Sequence, residues 1–590
     1  MPRSIRLLSL LAAALFSIAS LAFVPASGGS AASAPAPTGA HQSLYWGANL
    51  HNTHFAEAET TLSPANVSHL AVKWSFTTTG DVSAIPTLAD GLLYFPDWGP
   101  TLTSYAAITG GSLFALDAAR GVPVWSRPFN SYGTNPLDNT TRTSPAIAGD
   151  LIIVGNVLNQ PLSLLGVTLG SGATVYAINR FTGDLVWQTV IDPHPLAQVT
   201  QSPVIYGGRI YVGVSSLEEG AARLAYPCCT FRGSMVALDL ATGHVEWQTY
   251  MEPANGGKPG GYSGAAVWGS SPSIDVSRGV VYIATGNAYA YPKPLVDCLA
   301  AHRGSPLGQD QCLTSLDAPD DYAESILALD LTSGAVRWAR RLHNYGAWTS
   351  ACAPNIAPLV PVNPANCVDL DGLDYDFGQA PMLFRAIVNG ASRDLVGAGQ
   401  KTGVFWALDP DANGQTVWST VAGPAGVEGG MEFGSATDGE RIYVEFTNFD
   451  HTPFLLTAGS HAGETVHGGM WAALDPGTGA LVWQTPDPSS TRPLIGFYAN
   501  PAWGLAKGPG FFAAAMGPLT VANGVLFGGS MDPEGHMYAF DAKSGAILWS
   551  FASGGSVMSA PAVVDGVVYW GSGYRTGFDA NRMYAFALPN

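Results

Sequence analysis

Charge is scarce in this sequence of 590 residues: Asp, Glu, Lys and Arg together make up 12%, with only 26 cations against 44 acids. Soluble domains usually carry about twice that share. The net charge of −18 excludes a generic binder of phosphate backbones, which needs clustered cations. It also excludes attraction to anionic membrane surfaces. Cysteine is sparse, at six residues, with no Cys-x-x-Cys-His for a covalent c-type haem and no Cys/His spacing typical of zinc. Long apolar runs are missing apart from one near the N-terminus. Disorder is excluded as well, because hydrophobics reach 47%. What is plentiful is Gly, 70 residues, and Pro, 42 residues, as many tight turns require.

The one apolar run, from Leu7 to Val24, follows Arg3 and Arg6 and ends at Val24-Pro25-Ala26. Residues 1–26 read as a secretory signal peptide. Residues 27–40 are rich in Ser, Ala, Pro and Gly and read as a flexible linker. The expected location is therefore secreted or periplasmic, with no membrane span in the mature chain. In such a compartment six cysteines suggest disulfides. Cys298 and Cys312 flank one loop and Cys352 and Cys367 another, which narrows the pairings, while Cys228 and Cys229 are adjacent.

A length prior of one domain per ~150 residues suggests about four domains, but an internal repeat replaces that count. One phrase recurs: Ala-Leu-Asp, a turn with Gly, then a β-branched residue and Trp. It ends at Trp125, Trp187, Trp247, Trp338, Trp418, Trp483 and Trp549. Each copy reads as strand, Asp-x-x-Thr/Ser-Gly turn, strand. Further strands precede most copies, such as SPVIYGGRIYVGV before the third. Four-stranded units of this size predict a β-propeller. MYAFALPN (583–590) is the first half of a phrase, and LAVKW, ending at Trp74, is the second half. Joined, they make an eighth blade and close the ring, which removes free sheet edges. Residues 41–590 are thus expected to form one all-β, eight-bladed propeller, with the phrase-final Trp residues docking neighbouring blades.

Chemistry is sought where the repeat becomes irregular. Residues 200–220 read as a hairpin ending at the acidic pair Glu218-Glu219, which either ligates a hard cation or is a solvated loop. Trp268 begins a strand that lacks the phrase, and Asn287 follows a strand and Thr-Gly, as a turn former does. Asp374 and Asp376 alternate at a strand entry. Two aspartates so close either share a cation or form an Asx-turn pair. Lys401 precedes a strand in a chain with few cations. Cys228 and Cys229 occur in PCCTFRGSMVALD. A bridge between them would close almost no loop and add little stability, and the alternatives are two thiols or separate bridges.

The phrase is similar to the tryptophan-docking motif of quinoprotein dehydrogenases, eight-bladed enzymes that carry pyrroloquinoline quinone (PQQ). The resemblance spans about residues 60–590. The repeat alone also resembles cofactor-free outer-membrane assembly propellers, so the loop segments decide. By resemblance, Thr200 and Ser215 contact PQQ, and Glu218 binds the metal with Glu219 in reserve. Trp268 is the floor under the quinone and Asn287 a metal ligand. GLDYDFGQAPMLF resembles the membrane glucose dehydrogenase branch, in which the first Asp is the base. That makes Asp374 the base and a metal neighbour, with Leu373 standing where the branch has Trp. Lys401 matches the cation that holds the quinone C5 carbonyl.

A vicinal Cys228–Cys229 disulfide would be the platform over PQQ, and Arg232 would reach the quinone carboxylates. CCTFRGS, GAGQKTGVFWALDP and GGMEFGSATDG together resemble the polyvinyl alcohol dehydrogenase branch. The resemblance implies a PQQ-dependent dehydrogenase of polyvinyl alcohol or other secondary alcohols. It implies calcium as the metal, or a lanthanide if Asp376 is a ligand, and an external electron acceptor such as a cytochrome c. The rivals are a cofactor-free scaffold and a PQQ enzyme for sugars.

Overall fold

A computed structural model describes residues 42–100, 110–133, 140–158, 170–223, 226–342, 347–352, 363–368, 374–426, 429–448, 451–491, 498–500, 505–507, 515–574 and 579–589. The expected signal peptide and linker lie outside these residues.

Eight antiparallel sheets, seven of four strands and the third of five, are arranged as the blades of a propeller. In chain order the outermost strands of the first seven are Val122–Pro128, Leu185–Asp192, Val245–Tyr250, Val336–Arg341, Gln415–Val421, Leu481–Pro486 and Ile547–Ala552. The eighth blade takes Ala562–Val564, Val567–Ser572 and Arg582–Ala587 from the C-terminal end and Ala71–Thr77 from the N-terminal end. Its register sets Trp74 opposite Ala585 and Phe76 opposite Met583, so the two half-phrases join as the sequence requires.

The phrase turns out to be a joint between blades. The Trp418 indole N–H donates to the Pro476 carbonyl of the next blade at 3.1 Å, and Trp483 donates to Ala542 in the same way. Its ring covers the phrase glycine of that next blade. Gly479 has φ +72°, and a Cβ there would lie 2.4 Å from the Trp418 ring. Only glycine meets both demands, a left-handed backbone and no room for a side chain. A register shift recurs between the third and fourth strands, at Ala473/Leu474 and Ala539/Phe540 among others. Such a bulge re-aims the following side chains. The apolar cores lie between blades: Met235 and Trp247 of the third pack with Val281 and Leu327 of the fourth.

Residues 43–56 supply an element that carries no phrase. They run past the innermost strands, whose inner edges no blade strand pairs. Ser43 bridges Leu88, and the Leu44 carbonyl accepts from Ile147 N–H. The Tyr45 hydroxyl reaches the Ile205 carbonyl. The carbonyls of Leu50, His51, Thr53 and His54 accept from Ile274, Leu383, Thr437 and Val521. The segment thus satisfies edges that would otherwise be open in seven blades.

Two helices, Lys293–Ala301 and Pro306–Leu316, are inserted in the fourth blade and joined by the Cys298–Cys312 disulfide. Cys352–Cys367 is also bridged, as the loop spacing suggested, and Cys228–Cys229 is bridged, as the resemblance implied. Among the described residues no helix is long and apolar enough to cross a membrane.

Candidate active site

The second strand of the third blade, Arg209–Ser216, pairs with Val204–Tyr206 and then with Ala197–Gln198. That double pairing sets Ser215 opposite Gln198 and brings it to Thr200, with the two hydroxyl oxygens 2.8 Å apart. Thr200 also donates to the Trp268 carbonyl at 2.9 Å, so the first two segments meet at one point.

Trp268 is the centre of the cluster. Its indole N–H donates to Asp376 Oδ2 at 2.8 Å. The other oxygen of Asp376 accepts the Asn287 backbone N–H at 2.5 Å. One buried carboxylate therefore ties the aromatic ring to the Asn287 strand end. Phe433 stands edge-on to the ring, with centroids 5.7 Å apart. Lys401 Nζ lies 5.4 Å from the ring centroid and donates to Asp374 Oδ2 at 2.8 Å. Both partners of that ion pair are buried. In a low-dielectric setting such a pair is strongly coupled, and removing one partner leaves a costly lone charge.

The Asn287 side-chain amide donates to the carbonyls of Ala288 and Trp348 at 2.9 and 2.8 Å. Its Oδ1 is buried and has no partner among the described residues. An orphaned acceptor beside carboxylates is the donor chemistry that a hard cation fills, so the residues fit a metal. The buried Tyr289 hydroxyl is pushed well up, first by burial and then by Glu219, Asp376, Glu218 and Asp374.

Glu218 opens a short helical turn and is fully buried. Its oxygens accept from the backbone of Thr230 and Phe231 and from the Tyr226 hydroxyl. Cys228 and Trp268 border the same apolar cluster of Cys229, Phe231, Ala266 and Tyr289. Arg232 is directed elsewhere: its guanidinium lies 4.0 Å from the Tyr250 ring centroid and donates to the Glu252 carbonyl. Its described contacts include no other member of the predicted set.

One lining residue escaped the sequence reading. Arg142 lines a small pocket with Thr200, Ser83, Ser270, Phe433 and Met558, and it lies 5.4 Å from the Phe433 ring centroid. A signal was present. Ser83, Arg142, Thr200 and Met558 each stand three residues before the proline that precedes an innermost strand, Pro86, Pro145, Pro203 and Pro561.

Comparison with known proteins identifies the family and the fold. The family profile described as glucose/ethanol/alcohol dehydrogenase, beta-propeller domain (PQQ) matches residues 44–359. The profile of outer membrane protein assembly factor BamB matches residues 467–587. Polyvinylalcohol dehydrogenase from a Sphingopyxis strain is 29% identical over 94% of this chain and 78% of its own. Its counterpart from a Pseudomonas species is also 29% identical, over 92% and 76%. Among solved structures, a europium-containing methanol dehydrogenase superposes with a TM-score of 0.62 at 16% identity, over 93% of this chain and 99% of that one. That likeness speaks for the fold alone. With more than half its length matched by the PQQ profile, the chain belongs to the glucose/ethanol/alcohol dehydrogenase β-propeller family of PQQ enzymes.

Proposed function

We propose that this PQQ-dependent alcohol dehydrogenase is exported, oxidises secondary alcohols of the kind found along polyvinyl alcohol, and passes the electrons to a separate acceptor such as a cytochrome c. The observation that carries the reading is the buried Asp374–Lys401 pair beside the Trp268 ring. The substrate class comes from the polyvinylalcohol dehydrogenases, which align along nearly the whole chain. A separate acceptor is the reading that suits a sequence in which no Cys-x-x-Cys-His motif occurs.

When bound, PQQ supplies the acceptor for the alcohol carbon's hydride, and the metal supplies a Lewis acid beside it. Trp268, braced by Asp376, would be the flat floor. Thr200 and Ser215 would contact the quinone's edge, and Cys228–Cys229 would cover the opposite face. Asn287 Oδ1, Asp374 and the Glu218-Glu219 pair would hold the metal, with Asp376 close by. The all-oxygen donor set suits calcium, with a lanthanide as the alternative for a site so rich in carboxylates. Asp374 takes the hydroxyl proton of the alcohol as the carbonyl forms. Lys401 fixes that carboxylate and sets a positive charge over the ring.

The test is reconstitution with PQQ and either calcium or lanthanum, followed by an alcohol and sugar panel with a dye acceptor. Turnover of secondary alcohols, absent in Asp374→Ala, is the expected result. Absence of PQQ binding, or turnover of sugars alone, overturns it.

A further inference from the structure

Gln400 takes no part in the chemistry described above, yet its side chain is completely buried. Its Oε1 accepts from the Thr402 hydroxyl at 3.0 Å and the Trp406 indole N–H at 3.2 Å. Its Nε2 donates to the Tyr375 carbonyl at 2.9 Å. An indole nitrogen only donates and a carbonyl only accepts. A flipped amide would therefore set donor against donor and acceptor against acceptor, so its neighbours fix its orientation. A buried amide costs more than an apolar side chain of the same size unless it is paired. Filling space does not account for Gln at this position.

Tyr375 stands between Asp374 and Asp376. These three residues lie outside any strand, so no sheet ladder sets their path. The turn that carries Gln400 sets it instead. Gln400 takes the Tyr375 carbonyl, the Lys401 backbone N–H donates to the Asp376 carbonyl at 3.1 Å, and Lys401 Nζ donates to Asp374 Oδ2 at 2.8 Å. That turn, residues 400–403, joins Ala391–Gly399 to Val404–Asp409 and is the shortest link between a second and a third strand in the ring. The Gln400 N–H donates to the Val404 carbonyl at 3.1 Å, and the Gln400 carbonyl accepts from Gly403 N–H at 2.9 Å. Groups on a turn so short and so bonded hold their place better than groups on a long loop.

We infer that Gln400 is a positioning residue for the alcohol oxidation: its amide clamps the Tyr375 carbonyl and so aims Asp374 at Lys401 and Asp376 at Trp268. The effect on catalysis rests on the reading of Asp374 as the base; the clamp itself does not. A reacting group misplaced by about 1 Å can cost a hundredfold in rate, so a buried amide that touches no substrate still bears on turnover.

The test is Gln400→Met, which keeps the length of the side chain and removes both ends of the amide. In PQQ-free protein, hydrogen exchange is followed at the Lys401 and Asn287 amides, which donate to the Asp376 carbonyl and to Asp376 Oδ1. In enzyme reconstituted with PQQ and calcium, kcat and KM are measured for 2-butanol with a dye acceptor. Exchange at both amides is expected to quicken about tenfold, with amides of the other blades unchanged. The kcat is expected to fall about tenfold to a hundredfold with KM little altered. A residue that only filled the core would lower the unfolding midpoint and leave kcat as it was. If Gln400→Met fails to fold, Trp406→Phe removes only the N–H that orients the amide, and the same two changes are expected at about a third of the size. Unchanged kcat, a rise in KM alone, or a fall in kcat with both amides still protected overturns the role. If the wild type oxidises no alcohol, the proposed function fails; faster exchange at the two amides then still supports the clamp, and unchanged exchange overturns it.

Discussion

Glu445 offers a test of how the floor of the site is kept neutral. It lies on Ile442–Phe446, is completely buried, and accepts from the Phe433 and Gly434 backbone N–H groups at a long 3.3 Å. Its Oε2 has no partner among the described residues. Burial pushes its carboxyl from 4.5 up to about 8, and the backbone donors only partly offset this. The folded protein therefore holds a proton that the unfolded chain releases near pH 4.5. Where the folded state binds more protons, stability falls as pH rises. The loss begins near the unfolded value and levels off above about pH 8. At ~1.4 kcal/mol per pH unit, the window from pH 6 to 8 alone carries about 3 kcal/mol.

Asp321 and Asp487, each raised to about 6 by burial, act in the same direction but below that window. His54, lowered to about 3 by burial, acts in the opposite sense, destabilising as pH falls below 6.5. All three cancel when wild type is compared with Glu445→Gln, which keeps the shape and removes the titration. The assay is the unfolding midpoint at a fixed scan rate from pH 5 to 9. The variant should match wild type near pH 5 and gain on it progressively from pH 6 to 8. Parallel profiles across that range would show that Glu445 is already ionised at neutral pH and refute the argument.

The other perturbations probe the site and the ring. Asp374→Asn should abolish alcohol turnover while PQQ binding, read by fluorescence quenching, persists; Lys401→Ala strands a buried carboxylate and should also lower the unfolding midpoint. Trp483→Ala removes a fully buried joint that donates to Ala542 and should cost about 3–5 kcal/mol in a denaturant titration. Deleting residues from Arg582 onward removes the strand that pairs with both Ala71–Thr77 and Val567–Ser572; the protein should then fail to unfold as one cooperative unit. Retained cooperativity would mean the ring does not depend on its closure.

The blades were legible because each is written into the sequence twice, once as a strand-turn-strand phrase and once as the Trp that docks on the next phrase. The segment 43–56 was not legible, because it is held mainly through backbone groups that any sequence possesses. Arg142 was missed for a different reason. Read alone, TTRTSPAIAGD is a strand entry. Its meaning appears only when the repeats are aligned on their prolines, which puts Arg142 in the position of Thr200. The Asp374-x-Asp376 spacing predicted two carboxylates on one face. It did not say that one would turn to the Trp268 indole and the other to Lys401. Alternation along a strand fixes the face of a side chain but not its partner.

The scarcity of cations makes that last distinction informative. Fifteen acidic residues but only three cations, Arg180, Arg223 and Lys401, are buried among the described residues. Most of these acids must be compensated in other ways. Asp97 accepts four donors from Thr79, Gly80 and Ser112, Glu218 hangs on backbone N–H groups, and Glu445 keeps its proton. Asp275 and Asp321 draw on arginines that remain partly exposed. Arg180 pairs with the exposed Asp90. Asp374 differs in facing a buried lysine at 2.8 Å. Burying both members of an ion pair is a poor way to gain stability, and this fold has cheaper means of satisfying an acid at most other buried positions. A buried lysine, beside an aromatic floor and an acid that backbone donors could have held, is better explained by chemistry than by folding.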